Sequence, residues 1–299
     1  MKLALIGAES YHARAFGEIF NVFRLVRGVR VTHIWGETEE FAKEKATLGQ
    51  IPHILSRPED AVGQVDGALV LLRDGSQHLP AARVFLGAGL PVFVDKPVAN
   101  RTADVAELLR LRKEAGVPLM TGSSIPLQQS VAPMKRAIRA AGTLLAAQLV
   151  GPGELENEWG GLPFYGSHLA ELMVELFGAE VETVQATEGD GVIGATCTYS
   201  SGLPVTLVFH PREVFYDLPR YWTLSLVGTK GPWQGEVAYD QYANLADPNP
   251  YVVLAKQIAK TFRSGNEPYT EARMSVPIAV IEALLRSLKT GKRAEIAAC

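Results

Sequence analysis

The sequence is nearly without cysteine: Cys197 and Cys299 are the whole complement of its 299 residues. Neither forms a Cys-x-x-Cys pair or a zinc spacing, so a disulfide scaffold and a structural zinc site are excluded, and a reducing cytoplasm is the expected compartment. Cys197 lies in an alternating segment and reads as a small buried hydrophobe, whereas the terminal Cys299 is expected to fray. An excess of charge is lacking too, with 29 Lys and Arg against 32 Asp and Glu, a net of −3. Without a basic run to neutralise a phosphate polymer, nucleic acid is excluded as a partner. Long apolar runs are also missing. One long charge-free stretch, Val117 to Met134, is broken by three prolines and several Ser and Gln residues, so it cannot span a membrane. The apolar stretch after Lys2 ends before Glu9 and is too short for a signal peptide.

What is present is ordinary for a folded chain: 47% hydrophobic, 20% charged and 8% aromatic residues. At roughly 150 residues per domain the length suggests two domains, and such a chain buries about three quarters of its unfolded surface without metal or disulfide. The first half alternates between two periodicities. Apolar runs at Leu3–Ile6, Val29–Trp35, Gly67–Leu72, Pro91–Val94 and Val117–Met120 have the form of strands buried on both faces. Helical patterns follow them at Tyr11–Arg27, Thr38–Leu48, Leu79–Ala88 and Thr102–Ala115. This alternation predicts a doubly wound parallel sheet, whose ligands bind beyond the carboxyl ends of the strands. The polar breaks there are Gly7 to His12, Gly36-Glu37, Arg73 to His78, Asp95 to Pro97 and Gly122 to Ser124.

The second half reads differently. Helices are expected at Gln129–Ala141, Pro163–Phe177 and Val276–Leu288, and a strand at Leu144–Val150. Further strands at Val181–Thr187, Gly191–Tyr199, Pro204–His210 and Tyr221–Gly228, joined by short turns, predict a large open, mostly antiparallel sheet. The fold class is therefore α/β, with a Rossmann-type domain over 1–122 and an α/β substrate and oligomerisation domain over 123–299.

The turns carry residues that resemble a known family. Asp95-Lys96-Pro97 looks like a Glu-Lys-Pro motif, His78 sits at a workable distance before it, and Gly166-x-His168-Leu-x-Glu171 looks like a Gly-x-His-x-x-Asp segment. Val227-Gly-Thr-Lys-Gly231 and Ser287-Leu-Lys-Thr-Gly291 match late turns in the same order. On these the chain resembles the glucose–fructose oxidoreductase / inositol dehydrogenase (Gfo/Idh/MocA) family nearly end to end. The resemblance implies NAD or NADP as cofactor, a sugar or polyol as substrate, and a homodimer or homotetramer formed through the C-terminal sheet. The cofactor positions it implies are Gly7, Ala8, Glu9, Ser10, Tyr11, His12, Glu37, Leu72, Arg73, His78, Asp95 and Lys96. Those implied for substrate are Lys96, Trp159, Phe164, Tyr165 and His168, with Lys96 and His168 catalytic.

The residue chemistry agrees. Oxidising a secondary alcohol sends a hydride to the nicotinamide and a proton to a base. An imidazole at His168 is largely neutral at pH 7 and can accept that proton. Lys96, beside Pro97, can stabilise developing charge on the same oxygen. Glu171, three residues after His168, is a candidate to orient its ring. Glu154, Glu156 and Glu158 would share one strand face if extended. With His168 and His210 they raise a metal site, but a solvated acidic edge is the expectation, and no metal is expected.

The chain also departs from the family pattern. A Gly-x-Gly-x-x-Gly loop needs its second glycine for close approach to the pyrophosphate, and here the run is Gly7-Ala-Glu9-Ser-Tyr-His12. A Glu9 carboxylate about 4 Å from a phosphate costs on the order of 4 kcal/mol at an effective dielectric near 20, which His12, Arg14 and the helix N-terminus would partly offset. The ribose-binding acid expected at the end of the second strand is replaced by Gly36 followed by Glu37, no arginine follows to favour NADP, Arg73-Asp74-Gly75 stands for Thr-Pro-Asn, and Phe164 occupies the place of an Asp. These departures leave two alternatives to a dehydrogenase: a cofactor-free binding or regulatory protein on the same scaffold, and a redox-neutral lyase-type member.

Overall fold

The computed structural model describes residues 1–211, 220–238 and 249–296. The chain divides into two compact units, one of Met1–Ala99, Ala103–Ser124 and Tyr242–Thr270, the other of Asn100–Thr102, Ile125–Gln241 and Glu271–Cys299. The expected single division at 122 has no counterpart for the return of the Tyr242–Thr270 segment to the first unit. Cys299 lies outside the described residues.

The first unit is built on β1 (Lys2–Ile6), β2 (Arg30–Trp35), β3 (His53–Ile54), β4 (Gly67–Val70), β5 (Val92–Val94) and β6 (Leu119–Thr121), all parallel in the order β3-β2-β1-β4-β5-β6. Leu3 to Ile6 and Ala68 to Val70 are fully buried, as an apolar run covered on both faces requires. The order reverses between β1 and β4, where such sheets open a crevice. Helices α1 (Tyr11–Gly17), α2 (Glu39–Leu48), α3 (His78–Gly87) and α4 (Thr102–Ala115) connect the strands. Ser10 Oγ accepts the His12 N–H to cap α1, and Thr38 Oγ1 accepts the Phe41 N–H to cap α2. The helix expected to reach Arg27 ends sooner: α1 passes into a π-helical turn over Glu18–Val22. There the buried Asn21 side chain bonds both the N–H and the carbonyl of Val31 on β2.

In the second unit come α5 (Val131–Ala140), β7 (Leu144–Pro152), α6 (Leu162–Phe177), β8 (Val181–Gly189), β9 (Val192–Tyr199), β10 (Pro204–His210), β11 (Arg220–Gly228) and β12 (Gly231–Ala238). Helix α7 (Pro250–Ser264) belongs to the first unit, and α8 (Glu271–Thr290) and β13 (Ala294–Glu295) return to the second. The sheet order is β12-β11-β7-β10-β9-β8-β13, antiparallel throughout except between β7 and β10. Leu169, Leu172 and Met173 of α6 join Val280, Ile281 and Leu284 of α8 over Leu149, Val184 and Leu207 of the sheet. Strands β3, β12 and β13 and helix α7 had no sequence expectation. The helix expected from Val276 begins at Glu271 and carries Pro277 inside it.

Candidate functional site

The carboxyl edge of the first unit's sheet gathers most of the residues expected to bind a cofactor. Gly7 follows β1 at φ +105, and a Cβ there would lie 2.6 Å from Leu72 N, so the turn between β1 and α1 admits only glycine. The next two amides, Ala8 N–H and Glu9 N–H, donate to Glu37 Oε2 at 2.8 and 2.9 Å. Glu37 therefore grips the loop from the end of β2, one residue past the position where a ribose-binding acid is usual. Its other oxygen, Oε1, is buried with no partner among the described residues. A buried acceptor in that state calls for a donor hydroxyl, and the adenosine ribose supplies one; the donor set at this edge fits a dinucleotide.

Glu9 does not stand against the loop as a bare charge. Its Oε1 pairs with Arg73 Nη1 at 3.3 Å, from the turn after β4. The partners expected for it are otherwise engaged: Arg14 bonds Glu18 at 2.8 Å, and His12 Nδ1 lies 2.5 Å from Asp95 Oδ2.

His12 occupies the third-glycine position and is held from two other elements. Asp95 reaches it from the end of β5, and the Tyr251 hydroxyl from α7 lies 3.0 Å from Nε2. The His12 and Tyr251 rings meet edge-on with centroids 5.0 Å apart, and Tyr11 meets Tyr251 at 6.1 Å. Asp95 is 2% exposed. Burial pushes its carboxyl upward, but His12, Lys96 and His78 together outweigh this and hold it below the ordinary aspartate value. Lys96 is buried beside it, and the Lys96–Pro97 peptide is cis. His78 is fully buried, with Nδ1 2.7 Å from Pro97 O and Nε2 2.8 Å from Leu72 O. It ties the end of β4 to the turn carrying Lys96. Burial lowers its pKa, against the opposing pull of these carbonyls and Asp95.

The second unit holds the remaining candidates. Helix α6 starts after Gly161, at φ +75, in a loop that Asn157 braces: Asn157 Oδ1 accepts the N–H groups of Trp159 and Gly161 at 2.9 and 3.0 Å. Trp159 packs on Phe164 with centroids 4.7 Å apart, and Phe164 on Tyr165 at 5.0 Å. Tyr165 packs on His168 at 5.7 Å, and His168 on Trp222 of β11 at 5.6 Å. The imidazole is thus set in a row of rings. Glu171, expected to orient it, approaches Arg273 of α8 at 3.9 Å, where Arg273 also meets Glu175 at 3.4 Å. Glu154, Glu156 and Glu158 follow the end of β7 and share no strand face. Among the described residues no group of three or more His, Cys, Asp or Glu side chains could hold a metal, and no helix is long and apolar enough to cross a membrane. Sequence reasoning missed Tyr251 and Asn157. Asn249-Pro250 is a helix-start signal that marks where α7 begins, but nothing local links Tyr251 to His12.

Residues 1–123 match the Gfo/Idh/MocA family model, described as an oxidoreductase family with an NAD-binding Rossmann fold. No curated protein matches the chain by sequence. Solved structures share its fold over nearly the whole length. A probable dehydrogenase from Thermotoga maritima matches at TM-score 0.81 and 17% identity, over 99% of both chains. An oxidoreductase from Agrobacterium radiobacter in complex with NAD+, L-tartaric acid and magnesium matches at 0.83 and 15%, over 99% of this chain and 98% of that one. A scyllo-inositol dehydrogenase from Lactobacillus casei with bound NAD(H) and scyllo-inositol matches at 0.83 and 12%, over 100% and 99%.

Proposed function

We propose that this chain, which belongs through residues 1–123 to the Gfo/Idh/MocA oxidoreductase family with its NAD-binding Rossmann fold, uses NAD to oxidise or reduce a hydroxyl-bearing carbon of a sugar or polyol. The observation that carries the reading is Glu37, whose Oε2 is held by two loop amides while Oε1 waits buried without a donor among the described residues. An adenosine 2′-hydroxyl satisfies that oxygen, whereas the 2′-phosphate of NADP would meet a carboxylate. NAD is therefore the favoured cofactor, and when bound it supplies the hydride acceptor or donor. Gly7 gives the loop its close turn, and Ser10 fixes the first turn of α1.

Lys96 and His168 are the residues we assign to the hydroxyl proton. Lys96 is buried at the end of β5 and held there by the His78 and Asp95 contacts of its turn. It stabilises oxyanion character through its ammonium. His168, packed between Tyr165 and Trp222, keeps its ring orientation and accepts the proton at a ring nitrogen. Trp159, Phe164 and Tyr165 present an aromatic border to a ring-shaped substrate. The inositol dehydrogenase likeness supports a cyclic polyol. The second unit's sheet face bearing Gln148, Thr206, Ser225 and Gln234 is the face we assign to a second copy, giving a homodimer or homotetramer.

Energy transfer from tryptophan to the reduced nicotinamide tests the cofactor. NADH is expected to bind at micromolar concentration, and NADPH at least about tenfold more weakly. With NAD+ as the hydride acceptor, Lys96→Ala and His168→Ala are each expected to lower oxidation of a polyol by about 10²–10⁴-fold while leaving NADH affinity in place. No binding of either nucleotide at millimolar concentration refutes the reading.

A further inference from the structure

The two turns that meet where the strand order reverses carry charges of opposite sign. Glu9 stands where a dinucleotide loop keeps glycine for the approach of the pyrophosphate, and Arg73 reaches it from the turn after β4. Arg73 Nη1 and Glu9 Oε1 approach at 3.3 Å, between side chains that are each 29% exposed. Partly solvated ion pairs of this kind are among the weakest in proteins. A guanidinium fork bonds two phosphate oxygens at once, with charge on both partners, so a pyrophosphate outcompetes one carboxylate oxygen for it.

We propose that Arg73 is the phosphate-binding residue of this dinucleotide loop, and that Glu9 is an internal anion that keeps the guanidinium at the loop until the pyrophosphate takes its place. The assignment rests on the NAD reading above. It also accounts for how a loop with a carboxylate at its closest point accepts an anion. The charge that would repel the phosphate is already neutralised by the cation that then binds it. Glu37 is distinct in this scheme, because its Oε2 is engaged by the Ala8 and Glu9 amides and its chemistry is that of a hydroxyl acceptor.

Calorimetric titration of the full chain with NAD, ADP-ribose and adenosine tests this without turnover. Arg73→Gln is expected to weaken NAD and ADP-ribose by about 10–100-fold, the range for a hydrogen bond to a charged group. Adenosine, which has no phosphate, is expected to stay within about twofold. Arg73→Lys recovers part of the loss, since it keeps the charge and lacks the fork. Glu9→Gln is expected to tighten ADP-ribose by about tenfold at low salt, with a gain that shrinks as salt rises. ADP-ribose affinity unchanged in Arg73→Gln overturns the role of Arg73, and so does an equal loss for all three ligands, which marks a damaged loop. Weaker ADP-ribose binding in Glu9→Gln overturns the role of Glu9. If the unaltered chain binds none of the three, the NAD reading itself fails and this assignment falls with it.

Discussion

Removing the imidazole of His12 tests the construction of the dinucleotide loop most directly. Asp95 is 2% exposed, its Oδ2 lies 2.5 Å from His12 Nδ1, and its Oδ1 has no partner among the described residues. In His12→Ala that carboxylate loses its hydrogen-bonded neighbour at Oδ2, and the Tyr251 hydroxyl loses its contact with the ring Nε2. Leaving a buried carboxylate oxygen without its hydrogen-bond partner costs about 1–3 kcal/mol or more. Tyr251→Phe removes one hydrogen bond and keeps the ring contact, so about 1 kcal/mol is expected. If the cost of His12→Ala is the stranded carboxylate, Asp95→Asn should remove most of it, and the double variant should be more stable than the sum of the singles by about 2 kcal/mol or more. Guanidinium unfolding followed by circular dichroism gives the free energies, and amide exchange of Leu3 to Ile6 assigns them to the first unit. The sign with pH is also fixed. The folded pKa of Asp95 is depressed, so its contribution is present above the unfolded value near 3.9 and disappears as pH falls through the lower folded value. The His12→Ala deficit should shrink over that acid window. A deficit below about 1 kcal/mol at pH 7, or additive singles, would show that the pair carries no such charge coupling.

Other substitutions probe neighbouring steps. Gly7→Ala forces an L-residue to φ +105 with its Cβ 2.6 Å from Leu72 N; a cost of about 3 kcal/mol and loss of NADH binding are expected from unfolding and titration. An unstrained, binding-competent variant would contradict the geometry. Glu37→Gln removes the charge that opposes a 2′-phosphate, so the preference for NADH over NADPH should fall about tenfold or more, within the ~4 kcal/mol Coulomb scale for close charges near a surface. An unchanged ratio places the ribose elsewhere. Burial lowers the pKa of His33, His78 and His210, with His53 adding to the effect at His33. The unfolded chain therefore binds more protons below the ordinary value near 6.5, and stability should fall as pH drops from there toward the folded values. Guanidinium midpoints measured from pH 8 to 5 check the slope, and a rise in stability on acidification would contradict it.

The strand-and-helix frame was legible because its signals are local. Strands buried on both faces need continuous apolar runs, and β1 and β4 have them; Ser10 and Thr38 announce their helices as caps. The elements without a clear signal are short or interrupted. Strand β3 has two residues, and β12 contains glycine and proline. Side-chain partners were legible only in part. Glu9 was recognised as a charge needing an offset, but the sequence pointed to its neighbours His12 and Arg14, whereas the partner lies 64 residues away. The Tyr251 hydroxyl reaches His12 across 239 residues, a separation that no periodicity records. The row of rings about His168 was partly visible because Phe164, Tyr165 and His168 share one helix, while Trp222 comes from β11.

These long-range partners bear on whether the altered loop is a relic or a rebuilt site. Losing glycines places side chains where backbone should be, and each new group then costs free energy unless something meets it. Glu9 is met by Arg73 from the turn after β4, and His12 by Asp95 from the end of β5 and Tyr251 from α7. The amides that glycines would have left open are met by Glu37 from the end of β2. Four separate elements thus supply partners to one six-residue turn. An apolar side chain in place of Glu37 would leave the Ala8 and Glu9 amides without their acceptor, so the carboxylate belongs to the construction of the turn. Each altered position of the turn is thus met from elsewhere in the fold, which makes it a rebuilt site rather than a relic.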